Sequence, residues 1–103
     1  MEVEIKRILA DGQPHILDYF AYSVIVPPEW ACKAFRDNGG VTSPECRDKT
    51  GRSMSLTDAV IMGISFMVEA KLNQMGRDGL VKQCTMTTAM GDQRNGWVRV
   101  GSD

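Results

Sequence analysis

The chain has 103 residues, 43% of them hydrophobic and 24% charged, which suits one soluble domain over residues 1–103 with a single modest core. Twelve basic against thirteen acidic side chains give a formal net charge of −1, so a global positive field for nucleic acid or an anionic membrane is excluded. The start, Met1-Glu2-Val3-Glu4-Ile5, lacks the basic and apolar parts of a signal peptide, and the longest apolar run falls short of the roughly 20 residues that span a bilayer.

A cytoplasmic protein is therefore expected. Cys32, Cys46 and Cys84 have neither CxxC nor Cys/His spacing, which argues against a zinc site and against a secreted disulfide framework. No metal or cofactor is expected.

Taken in chain order, Val3, Ile5 and Ile8 or Leu9 suggest a short strand ending at the turn dipeptide Asp11-Gly12. Residues 16–26 are rich in aromatic and β-branched side chains and stop at Pro27-Pro28, which predicts a second strand and an N-terminal hairpin. That second strand has apolar residues on both faces, so both faces need cover over part of its length.

Pro28 suits the first helical position and Glu29 the positive end of the helix dipole. A helix is predicted over residues 28–37, with Trp30, Ala31, Ala34 and Phe35 at helical spacing and Asn38-Gly39-Gly40 as its stop. Residues 39–54 have loop composition.

Ser55 with Asp58 approximates a capping box for a main helix over residues 56–75, with Gly76 as the residue just past its end. Between Ala59 and Val68 only Ser65 is overtly polar, so this helix is apolar almost all the way round and belongs inside something. A chain this short offers little cover, and a second copy is the expected one. Gly63 at the helix centre costs about 1 kcal/mol relative to alanine, which close approach of another backbone would explain.

Residues 80–89 and 97–100 predict a C-terminal hairpin with a loose tip at 91–96. The order ββααββ predicts an α+β fold, with an antiparallel sheet of about four strands and two helices packed on one face.

Candidate sites are few. The loop around Arg47, Lys49 and Arg52 has basic and hydroxyl groups before a helix N-terminus, an environment that attracts anions, although no P-loop pattern is present. Lys82, Arg94 and Arg99 with Trp97 could bind single strands by charge and stacking, but a lone hairpin tryptophan is more often a core or interface anchor. Met86 and Met90 suit an adaptable binding surface. A dimer interface is expected to use Tyr19, Tyr22, Ile61, Gly63, Ile64 and Met67.

The leading expectation is a non-enzymatic domain that binds itself as a homodimer and also an unidentified protein, in the style of inhibitors and accessory proteins of phages or mobile elements. A second is a small-molecule-binding or enzymatic domain with a pocket between sheet and main helix, using Tyr19 or Tyr22, His15 and Asp18. The third and weakest is nucleic-acid binding through the C-terminal hairpin.

Overall fold

The main helix buries one side against other elements of its own chain. The computed structural model describes residues 1–42 and 45–101, and among these it contains four helices and three strands: α1 (Glu2–Leu9), β1 (His15–Ile16), α2 (Leu17–Ser23), α3 (Pro28–Asp37), α4 (Leu56–Arg77), β2 (Val81–Thr87) and β3 (Gln93–Arg99). The fold is α+β, with an antiparallel sheet in the order β1-β3-β2. Helices α3 and α4 pack on each other, and α4 also meets α2 and β2. Among the described residues no helix is long and apolar enough to cross a membrane.

The expected N-terminal hairpin is replaced by helices, and the four-stranded sheet by one of three strands. In α1 the buried residues are Ile5 and Leu9, while Val3 is exposed. A spacing of four fits both a strand face and one turn of helix, and Glu2 with Lys6, 3.6 Å apart, adds an ion pair that only a helix brings together. In α2 the inward residues Leu17, Phe20, Ala21 and Val24 follow the helical spacing i, i+3, i+4, i+7. That stripe outweighs the strand propensity of its aromatics. The two tyrosines, Tyr19 and Tyr22, stand outside it.

Helix α3 occupies the predicted residues. Its end is closed by Asn38, whose Nδ2 donates to the Ala34 carbonyl at 2.8 Å, and by Gly39 at φ 94°. At the start of α4 the Ser55 hydroxyl accepts from the Asp58 N–H at 3.1 Å, as the capping pattern predicts. The helix runs two residues past the predicted end. Gly76 lies inside it, and the left-handed stop falls to Gly79 at φ 77°. The second strand of the C-terminal hairpin is longer than expected, since most of the expected loose tip is the start of β3, and the turn is closed by the Thr88 N–H donating to the Asp92 carbonyl at 2.8 Å.

Ile64, Val68, Leu72 and Met75 of α4 form the spine of the main core, which Ile5, Leu9, Phe20, Val24, Val81 and Trp97 close from α1, α2 and the sheet. Burial of each large apolar side chain contributes about 1.5–3 kcal/mol. Phe35, Cys46 and Ala59 form a smaller cluster, with Met54 and Phe66 packed against it. The two clusters meet at the crossing of α3 and α4. A Cβ on Gly63 would land inside the Ala31 carbonyl group, so the close backbone predicted at Gly63 belongs to α3 of the same chain.

The segment 39–54 is a loop as predicted, although Ser43 and Pro44 lie outside the described residues. It folds back on itself through single bridges joining Arg47 to Val41 and to Ser53. Asp48 Oδ1 accepts from the Thr50 hydroxyl at 2.6 Å, the Thr50 N–H at 2.9 Å and the Arg52 N–H at 3.0 Å. The Thr50 hydroxyl above all, and then the Arg52 N–H, hold the Asp48 carboxyl below its ordinary value of 3.8.

Two predictions follow from this packing. Gly63→Ala gains about 1 kcal/mol of helix propensity but meets main chain that has no rotamer to change. A net destabilisation of about 1–3 kcal/mol is expected in urea unfolding. The second concerns acid. A carboxyl depressed by folding contributes stability that is present above its unfolded value, near 3.8, and is lost as pH falls through the folded value. Asp48→Asn should therefore lower the melting temperature at neutral pH and weaken its fall below about pH 4, both read from thermal melts across the acid range.

Candidate functional site: an apolar groove at the α3–α4 seam

Helix α3 has two adjacent apolar stripes. Ala31 and Phe35, one turn apart, are buried. Trp30 and Ala34, also one turn apart and offset by one residue, line the surface seam together with Met67 of α4. Trp30 is 60% exposed.

The segment between α2 and α3 brings a second apolar group to the same seam. The Ile25 N–H donates to Glu4 Oε2 at 2.8 Å, which ties this segment to α1. The Ile25 side chain is left 88% exposed. It borders a hollow of about 390 Å³ whose walls include Val26, Pro27, Trp30, Met67 and Ala70, with Lys71 and Gln74 at its polar side. On the other flank of Trp30 a hollow of about 370 Å³ runs past Ala34 to Lys33 and Asp37. Those two charges pair at 2.6 Å, and Lys71 lies 3.5 Å from Glu2. The rim is thus polar with matched charges, while the floor and the Trp30 ridge are apolar.

The residues singled out from sequence are distributed differently. Arg47 pairs with Glu45 at 3.0 Å. Lys49 packs by its stem near Gly39. The Thr50 hydroxyl and the Arg52 main-chain N–H of this loop already bind the Asp48 carboxylate, which places an internal anion among its basic side chains. Arg94 reaches Asp18 at 3.3 Å, and the Arg99 charge helps to lower Asp11, after the Gln13 N–H and His15. Trp97 is only 8% exposed and belongs to the main core, which removes it as a base-stacking platform. Met86 lies over Gly96, where a Cβ would collide with it. Met90 is 88% exposed at the hairpin turn.

Of the residues expected at a dimer interface, Gly63 and Ile64 are buried within the chain. Ile61 and Tyr22 line a separate hollow of about 340 Å³ with Asp18, Asp58 and Met62, and Met67 belongs to the groove. Tyr19 stacks on the His15 ring at 4.6 Å, and His15 Nε2 lies 3.0 Å from Asp11 Oδ2. Asp18 pairs with Arg94 and shares that hollow with Tyr22, but His15 faces Asp11 and Tyr19, so the three do not line one pocket. Among the described residues no three His, Cys, Asp or Glu side chains gather as a metal-holding group.

Ile25 and Trp30 were not singled out as site residues from sequence. Trp30 reads as one more apolar position of an amphipathic helix. The available signal is that four apolar residues at 30, 31, 34 and 35 make a stripe wider than one neighbouring helix covers. Compared with protein-family models, curated proteins and solved structures, the chain gives no match.

Proposed function

We propose that this protein acts by binding another protein, and that the groove between α3 and α4 receives an apolar segment of that partner. One observation carries the reading: Trp30 and Ile25, 60% and 88% exposed, stand beside a hollow of about 390 Å³ that contains Met67. Isolated exposed apolar residues are ordinary, but a contiguous patch with a polar rim marks an interaction surface.

The composition supports it. Tryptophan is enriched among residues that dominate binding energy, and methionine re-packs easily around an incoming side chain. Charges on the rim are paired with each other, which leaves the apolar floor as the main source of affinity.

The test is affinity capture from the native host with the full chain, followed by calorimetry on the purified partner. Trp30→Ala and Ile25→Asp should each weaken binding about 30-fold or more, the scale of a hot-spot truncation of ~2 kcal/mol. Both should leave the thermal melt in place, because neither side chain is in the core. Replacing Arg47, Lys49 and Arg52 together by alanine should leave the affinity unchanged. The opposite pattern would move the site to the loop.

A further inference from the structure

The sheet order β1-β3-β2 leaves β2 as an edge strand. Its pairing with β3 runs without a bulge from Val81 opposite Arg99 to Thr87 opposite Gln93. The ladder is bounded by two bonded positions, the Val100 N–H donating to the Leu80 carbonyl at 3.0 Å and the Thr88 N–H to the Asp92 carbonyl at 2.8 Å. Bonding alternates along an antiparallel pair. Residues 82, 84 and 86 therefore turn their main-chain groups to β3, and Val81, Gln83, Thr85 and Thr87 turn theirs outward.

Gln83, Thr85 and Thr87 are exposed, and among the described residues none bonds to their outward main chain. Natural edges are ordinarily blunted by proline, bulges or several charges. This one has no proline, an unbroken register and one charge, Lys82.

We propose that β2 is the seam of a two-fold dimer in which it pairs antiparallel with β2 of a second copy of this chain, centred on Cys84. Bonding parity requires the axis to pass through a residue, and of such axes the one through Cys84, the middle of Val81–Thr87, overlaps the whole strand. An axis through Cys84 sets residue 83 opposite 85 and residue 81 opposite 87, so each outward-facing residue meets an outward-facing residue of the other copy. Shifting by one residue would oppose outward groups to groups already used by β3.

The side chains agree with the same register. Lys82 faces Met86 of the second copy, whose apolar chain accepts the lysine stem, and no like charges are opposed. A self-complementary patch of this kind is what a two-fold interface requires. The product is a continuous six-stranded sheet, and it uses none of the groove residues assigned to partner binding.

Cys84 supplies the test. It falls in a non-hydrogen-bonded pair with its own copy, where Cα atoms are about 4.5 Å apart and both thiols leave the same face. Light scattering on a size-exclusion column over a tenfold concentration range should give the mass of two chains. A short bis-maleimide should convert the folded protein to a covalent dimer. That product should be lost in Cys84→Ser and kept in Cys32→Ser.

Thr85→Pro deletes an outward N–H that the monomer does not use, and it should give the mass of one chain with an unchanged helical circular dichroism spectrum. A monomeric wild-type protein would overturn the proposal, as would a dimer cross-linked through Cys32 or left intact by Thr85→Pro. If Thr85→Pro does not fold, the cross-link on the wild-type and cysteine variants decides.

Discussion

The crossing of α3 over α4 at Ala31 and Gly63 is the contact on which the rest of the molecule is arranged. With no side chain at residue 63, the Ala31 carbonyl lies against the α4 backbone, and the two helices approach closely enough to share residues on both sides. On the inner side, Phe35 reaches Ala59 and seals the smaller cluster over Cys46. On the outer side, Trp30 comes up beside Met67. A wider crossing would open the core and spread the groove apart at the same time, so the fold and the proposed site depend on one missing methyl group.

Besides α3, the apolar side of α4 is met by α1, α2 and the sheet, short elements that could not stand alone. α1, α2 and the sheet each contribute two or three buried side chains to the spine Ile64, Val68, Leu72 and Met75. Helices this short are marginal in isolation, and they hold their shape because α4 gives their apolar stripes a surface. Much of the cover for α4 is thus supplied by its own chain, while Ile61, Met62 and Met67 stay at surface hollows.

The parts legible in the sequence are those where local chemistry allows one answer. Pro28 and Glu29 start α3, Gly39 ends it, and Ser55 with Asp58 starts α4; none of these depends on distant residues. The segments that form α1 and α2 read as strands because their spacing serves two periods. Ile5 and Leu9 share a face in a strand as well as in a helix, and the aromatics of α2 favour strands until Leu17, Phe20, Ala21 and Val24 find α4. The groove was hidden for a related reason, since only the path of α4 decides which of Trp30 and Ala31 goes inside. Likewise, nothing in the composition of the basic loop shows that Asp48 binds the Thr50 hydroxyl and the Arg52 main-chain N–H.

Strand β1 has only two residues, and they pair with Trp97 and Gly96 near the other end of the chain. Closing a loop of that span costs entropy that nearby contacts do not repay. During synthesis α1 and α2 leave the ribosome long before β3 exists, and Trp97 is among the last core residues to be made. Without Trp97 the spine of α4 lacks part of its cover from the sheet. The hairpin of β2 and β3 therefore closes the main core through contacts between segments far apart in the sequence.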